Sequence, residues 1–171
     1  GDYARRHPFG HVPVLEHDGF QIYETAAITR YIDEVFAGPP LQPDDPQQRA
    51  RMVQIISIID AYAYILLVRQ VFSQRIFRPL MGQPSDEGMI QVGLDASRPV
   101  LAAIEDLISE DRAYSDQPNL ADFYLAAMID YFIMAPEGAR HFARHPKLTA
   151  WWSRLKHRAR VTATNPLTER D

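Results

Sequence analysis

HPFGHVPVLEHDGFQIYETAAITRY, His7 to Tyr31, is the stretch whose reading decides how this chain folds. Val12 to Leu15 is a short β-branched run and Phe20 to Tyr23 a second. Between them Glu16-His17-Asp18-Gly19 ends in the Asp-Gly pair that a tight antiparallel turn requires, because both central positions need a positive φ. From about Thr25 the period changes. Ala27, Ile28, Tyr31, Ile32 and Val35 recur at helical spacing and predict one apolar face. Pro13 stands at the mouth of the first strand, a place where a residue without an N–H is tolerated only at an edge, a strand start or a bulge.

Outward from this stretch the strand signals stop. Gly38-Pro39-Pro40 ends the first helix, and Pro39 to Asp45, with prolines at 39, 40 and 43, predicts a stiff linker. Asp45-Pro46-Gln47-Gln48 is a strong helix start, with Asp45 as cap, Pro46 in the first turn and Gln48 closing a capping box. The helix is expected to run to about Arg78 and stop at Pro79, burying Met52, Ile55, Ile56, Ile59, Ala63 and Leu66. A second runs from about Ser85-Asp86 to Ile108, with Met89, Val92, Ala96, Val100, Ala103, Ile104 and Leu107 as its inner face and Pro99 as a predicted kink. A third starts at Asn119, where Asn119 and Asp122 are placed as reciprocal caps, and ends before Pro136. Apolar almost all round, it belongs in a core. After a short turn at Glu137 to Ala143, a last helix spans Pro146 to about Arg160, with Leu148, Trp151, Trp152 and Leu155 inward.

Composition narrows the function classes. The chain has 171 residues, 46% of them hydrophobic, and a net charge of −4. The one basic cluster, Arg154 to Arg160, is too narrow for a nucleic-acid face, so no nucleic-acid partner is expected. With no cysteine there is no disulfide, thiolate metal site or catalytic Cys on this chain, which fits a reducing compartment. No secretory signal opens the chain, and no apolar run approaches the roughly 18 residues of a membrane span; the longest, Ile55 to Val68, reads as a buried helix. His141 and His145 stand at i,i+4 spacing, but without an acidic third ligand and with Pro146 directly after them they read as a surface pair, and no metal is expected. The expected architecture is mainly α: a β-hairpin plus helix, residues 1–38; a linker, 39–45; and an all-helical bundle, 46–171.

The hairpin segment resembles the second half of the thioredoxin-like domain of cytosolic glutathione transferases. The family pattern is a Pro-x-Gly turn, Val-Pro-x-Leu, a turn, a hydrophobic strand, and Glu-Ser or Glu-Thr opening a helix; here it is met by Pro8, Gly10, Val12 to Leu15, Asp18-Gly19 and Glu24-Thr25. Asn119 to Phe132 is similar to the family's Ser/Thr-x-Ala-Asp signature, and HPKLTAWWSRLKHR resembles its Pro-x-Leu-x-x-Trp helix. The resemblance implies a partial thioredoxin-like domain followed by an all-α substrate-binding domain. It implies a cis Val12-Pro13 bond that offers the backbone of Val12 to the cysteinyl part of glutathione. It places the γ-glutamyl carboxylate at the helix start beside Thr25, and the γ-glutamyl ammonium against Glu24. His11 stands where the family often has a polar side chain. Read singly, Thr25 is a helix cap and Glu24 a solvated acid near a positive dipole.

What the resemblance implies further is conjugation of glutathione, as co-substrate, to a hydrophobic electrophile by a cytoplasmic homodimer engaged in detoxification. Two alternatives stay open: a non-catalytic binding or assembly protein on this fold, and a glutathione-dependent isomerase or dehalogenase. The family's opening strand–helix–strand unit, which carries the thiol-activating Ser, Tyr or Cys, has no counterpart in residues 1–171, so the catalytic residue is expected in a preceding segment omitted here. Lowering a thiol pKa by two units requires about 2.7 kcal/mol of differential stabilisation, and no residue is placed to supply it. The segment before Asn119, AYSDQP, looks shorter than the family loop, and Ala159 replaces a common Pro. Asp60, Tyr62 and Tyr64 are candidates for a substrate cavity or a subunit interface.

Overall fold

The fold is described from a computed structural model, over residues 2–111 and 117–163. A single 3₁₀ turn, Asp2–Arg5, leads to the hairpin of β1 (Val14–His17) and β2 (Phe20–Tyr23). The strands pair antiparallel with Val14 opposite Tyr23 and His17 opposite Phe20, which leaves Asp18-Gly19 as a two-residue turn. Both turn residues have positive φ, 50° and 78°, the geometry that suits the right-handed twist of the strands. The first strand begins two residues later than the sequence suggested. Pro13 has no donor for the ladder, and pairing starts only after it.

Helix α1 (Thr25–Val35) follows directly. Of its expected apolar face only Ile28 is buried, at 6% exposure; Ile32 and Val35 are exposed. Asp33 then fixes the exit of the chain. Its carboxylate accepts from the backbone N–H of Leu41 (2.7 Å) and of Gln42 (3.2 Å) and from the Gln42 amide. Leu41 in turn accepts from Leu120 N–H (3.1 Å), which ties the proline segment to the bundle.

Helix α2 (Pro46–Leu80) has half of the expected capping box: the Asp45 side chain accepts from Gln48 N–H at 2.8 Å and Pro46 occupies the first turn, but the Gln48 side chain makes no return bond. From Ile59 to Phe77 the hydrogen bonding widens to the π pattern. Looser winding moves the buried stripe to every fourth residue, Ile59, Ala63, Leu67 and Val71. The expected Leu66 is therefore only half-buried and Leu67 replaces it. This helix also corrects the expectation that no segment reaches membrane-span size. It has 35 residues, and its most apolar window has a mean hydropathy of 1.7 with 33% of that window buried. Long core helices of bundles reach the same length and apolarity, and this one packs along α3 and α4.

Helix α3 (Glu87–Asp111) contains Pro99 and buries Ile90, Gly93, Ser97, Leu101, Ile104 and Ile108. This stripe is displaced from the expected one; Met89, Val92, Ala96 and Ala103 face outward. The reason lies at Gly93. A Cβ there would stand 2.8 Å from Gln70 Cβ and 3.0 Å from the Leu66 carbonyl oxygen, so α2 and α3 approach where the side chain is smallest. Gly93 and Ser97 let the helices approach, and Ile90, Leu101, Ile104 and Ile108 fill the face around them. The AYSDQP loop lies largely outside the described residues.

Helix α4 (Leu120–Met134) runs through the core, with Leu125, Ile129 and Phe132 fully buried. The short helix α5 (Pro136–Phe142), where a turn was expected, leads to α6 (Pro146–Leu155); a break and α7 (Ala159–Ala163) replace the expected continuous last helix. His141 and His145 are not a surface pair. His141 is 6% exposed, and the His145 ring meets Glu105 of α3 at 3.0 Å, while Glu105 also accepts from Lys147 N–H at 2.8 Å. Arg75 joins three elements, paired with Glu87 (2.6 Å) and Glu137 (2.5 Å), and those carboxylates hold its guanidinium pKa above the ordinary arginine value. Among the described residues the main hydrophobic cluster lies in the bundle, from Met52 to Leu155.

Candidate functional site

Three features of the hairpin and α1 converge on one place. The Val12-Pro13 bond is cis. Val12 is 79% exposed, and among the described residues its backbone N–H and C=O have no hydrogen-bond partner. A residue of this kind can pair with an extended peptide as an added strand does.

Glu24 has φ 72° and ψ 122°, an unusual conformation for a residue with a side chain. It caps α1 through its backbone alone: its carbonyl accepts from Ile28 N–H, and its carboxylate makes no cap bond. Non-glycine residues in such conformations concentrate where a site dictates the backbone. The N–H groups of Thr25, Ala26 and Ala27 therefore point out of the helix end without an acceptor among the described residues, and the end of the macrodipole adds partial positive charge. A carboxylate suits these donors. An ammonium suits the free acid beside them.

One cleft of about 580 Å³ collects these groups. Val12, Glu24, Thr25, Ala26 and Thr29 form one wall, and Asp60, Tyr64, Phe123, Tyr124, Ala127 and Met128 of α2 and α4 form the other. The size is that of a small-molecule site. Of the residues expected to bind, Val12, Glu24 and Thr25 come together here. His11 and Pro13 stand next to Val12 but do not line the cleft; the His11 carbonyl accepts from the Tyr3 hydroxyl at 2.7 Å, and its ring lies 5.8 Å from that of the buried His7. Of the three open candidates on α2, Asp60 and Tyr64 line the cleft while Tyr62 projects away, 58% exposed.

A hydroxyl relay spans the two walls. Thr29 Oγ1 lies 2.8 Å from the Thr25 carbonyl and 3.2 Å from the Tyr124 hydroxyl. Either hydroxyl can donate in the Thr29–Tyr124 bond. Burial raises the Tyr124 pKa, against the lowering effect of the Thr29 bond, so the phenol keeps its proton. Burial also raises the Asp60 carboxyl, and the negative charge of Glu24 adds to the effect. Sequence reasoning missed this relay, since Tyr124 sits on a helix apolar all round and has no distinguishing pattern.

Asn119 and Asp122 stand apart from the cleft wall. Asn119 Oδ1 accepts from Ala121 N–H (2.9 Å) and Asp122 Oδ2 accepts from Asn119 N–H (2.7 Å). The other Asp122 oxygen accepts from Trp151 Nε1 at 2.8 Å, a bond across to α6 that no local pattern announces. Among the described residues no group of three or more His, Asp or Glu is placed to hold a metal.

Two family models match the chain: "Glutathione S-transferase, N-terminal domain" over residues 1–34 and "Glutathione S-transferase, C-terminal domain" over residues 46–152. Glutathione S-transferase F14 of Arabidopsis thaliana is 30% identical over 156 residues, covering 88% of this chain and 61% of its own length. Glutathione S-transferase F10 of the same plant is 30% identical over 162 residues, 92% of this chain and 74% of that protein. Among solved structures, glutathione S-transferase III in apo form superposes with a TM-score of 0.83 at 24% identity, over 99% of this chain and 80% of that one. Glutathione S-transferase I from maize, solved in complex with an atrazine glutathione conjugate, gives 0.78 at 24% identity, over 95% and 76%. At these identities the structural matches speak to the fold.

Proposed function

From the premise that this chain belongs to the glutathione S-transferase family, we propose that it binds glutathione in the 580 Å³ cleft and conjugates the tripeptide to an electrophilic small molecule. One observation carries the proposal: the unpaired backbone of Val12, the open N-terminus of α1 and the free carboxylate of Glu24 all face one cleft.

Each part answers one part of the ligand. The Val12 N–H and C=O pair with the cysteinyl backbone. The N–H groups at the start of α1, with the Thr25 hydroxyl, take the γ-glutamyl carboxylate. Glu24 takes the adjacent ammonium. Held at both ends, the peptide presents its sulfur to the wall made by α2 and α4. The thiol loses its proton to solvent, the thiolate forms a carbon–sulfur bond to the electrophile, and the leaving group departs with its electron pair. Val12, Glu24 and Thr25 address the peptide and not the sulfur; thiol activation is the work of another residue. The electrophile is held by the apolar side chains of Phe123, Ala127 and Met128.

The same reading includes a homodimer in the cytoplasm. Phe9, 66% exposed before β1, and Val92, 58% exposed on α3, are apolar surface that a second copy would cover. A cysteine-free chain suits a reducing compartment. Isothermal titration with glutathione tests the core of the proposal, alongside conjugation of chlorodinitrobenzene followed by absorbance. Glu24→Gln and Thr25→Val are each expected to weaken glutathione about tenfold or more while leaving the fold intact by circular dichroism. Absence of glutathione binding by the full protein, or binding unchanged in both variants, would sink it.

A further inference from the structure

The far wall of the cleft holds a charge that the peptide does not use. Asp60 stands on α2 at the start of the π segment, with Tyr64 one turn further on, and both line the cleft together with Phe123 of α4. Its carboxylate has no hydrogen bond or ion pair among the described residues. No described Lys, Arg or His lines the cleft. Glutathione brings a single ammonium, and Glu24 lies next to the helix start where its carboxylate partner is held. Asp60 lines the helical wall of the same cleft, near enough to Glu24 for the two charges to repel, and it pairs with no described cation.

The three kinds of ligand fare differently there. An anion meets the carboxylate of Asp60, and no described Lys, Arg or His lines the cleft to offset it. A neutral ring gains the apolar wall but desolvates Asp60 without a partner, which is unfavourable. An aromatic cation uses everything present: its ring packs on Phe123 and Met128, its charge pairs with Asp60, and the electron-rich faces of Tyr64 and Phe123 add attraction. We propose that the second-substrate side of the cleft selects aromatic ligands that carry a positive charge, with Asp60 as the specificity-determining residue. The inference rests on the reading above only for the side on which glutathione lies.

The test needs no conjugation. N-methylacridinium, a cation, and anilinonaphthalene sulfonate, an anion of similar ring size, are titrated by fluorescence into the full protein without glutathione. The cation is expected to bind more tightly. Asp60→Asn, which keeps size and polarity, should weaken the cation about tenfold, or about 1.4 kcal/mol, and strengthen the sulfonate. Asp60→Glu should keep the preference for the cation. Equal changes for both dyes in Asp60→Asn overturn the proposal. So does lost glutathione affinity with dye preference unchanged, which would put Asp60 on the peptide side. A wild-type protein that prefers the cation but fails to bind glutathione refutes the transferase reading and supports this one.

Discussion

Replacing Asp122 by alanine is expected to loosen two helices at once. The carboxylate accepts from Asn119 N–H at the start of α4 and from Trp151 Nε1 on α6, at 2.7 and 2.8 Å. Asn119 is 4% exposed and Trp151 6%, so neither donor can turn to water. Loss of the reciprocal cap costs about 1 kcal/mol. Loss of a bond to a charged acceptor, with the donor left buried, costs about 1.5–3 kcal/mol. Together the substitution should remove about 2.5–4 kcal/mol, which for a chain of this size is a fall in Tm of about 5–16 °C. Urea unfolding followed by circular dichroism and by tryptophan fluorescence measures it. A double-mutant cycle with Trp151→Phe isolates the bond across the helices: in that background Asp122→Ala should cost about 1.5–3 kcal/mol less. Costs that add to within about 0.5 kcal/mol would show no coupling and would falsify the claim that Asp122 joins α4 to α6. Asp122→Asn, which retains one acceptor oxygen, should fall between wild type and alanine.

Two further outcomes follow from α5. Gly138→Ala should destabilise by more than about 3 kcal/mol despite the better helix propensity of alanine, because the new Cβ would overlap the Phe132 carbonyl oxygen, a backbone atom that cannot swing aside; a Tm within 2–3 °C of wild type, about 1 kcal/mol at this size, would refute the packing. His141 is buried, with Nε2 unpartnered; desolvation first, then the charges of Arg98, His145 and Arg144, lower its pKa from 6.5. The unfolded chain then binds the proton more readily, so stability should fall as pH drops below 6.5; His141→Gln should flatten that decline in urea midpoints between pH 7.5 and 5.5, and an unchanged slope assigns it to other groups.

How much of this was legible depends on the range of the interaction. The Asp18-Gly19 turn, the Asp45 and Asn119 caps and the end of the first helix each follow from a few adjacent residues, and local chemistry determines them. The inner face of α3 does not. Its sequence offers two helical stripes one residue apart, and both carry apolar residues. Contact with α2 at Gly93 decides between them, which a reading of α3 alone cannot contain. The widening of α2 is of the same kind: no Gly or Pro marks Ile59, yet it moves the buried residue from Leu66 to Leu67. For the cleft, the placing of Val12, Glu24 and Thr25 together was readable because they lie within one hairpin-and-helix segment, whereas Tyr124 is 95 residues from Thr29.

The distribution of the site over the chain has a physical reason. A backbone ligand such as a peptide is best met by backbone, and backbone is exposed where regular structure begins or ends; Val12 lies just before the first paired residue and Thr25 at the first turn of a helix. Such ends are set by turn residues, so the peptide side is written compactly in sequence. A variable small molecule is instead met by side chains on helix surfaces, and Asp60, Tyr64, Phe123 and Met128 come together only because α2 and α4 pack against each other. Their identities can change without altering a cap or a turn. The Thr29–Tyr124 bond is where the two kinds of wall are held in register, since it joins the first turns of α1 to the core helix of the bundle. On the proposed reading, selectivity for the second ligand can therefore drift at Asp60 while the peptide side stays fixed, and the two properties should separate cleanly under mutation.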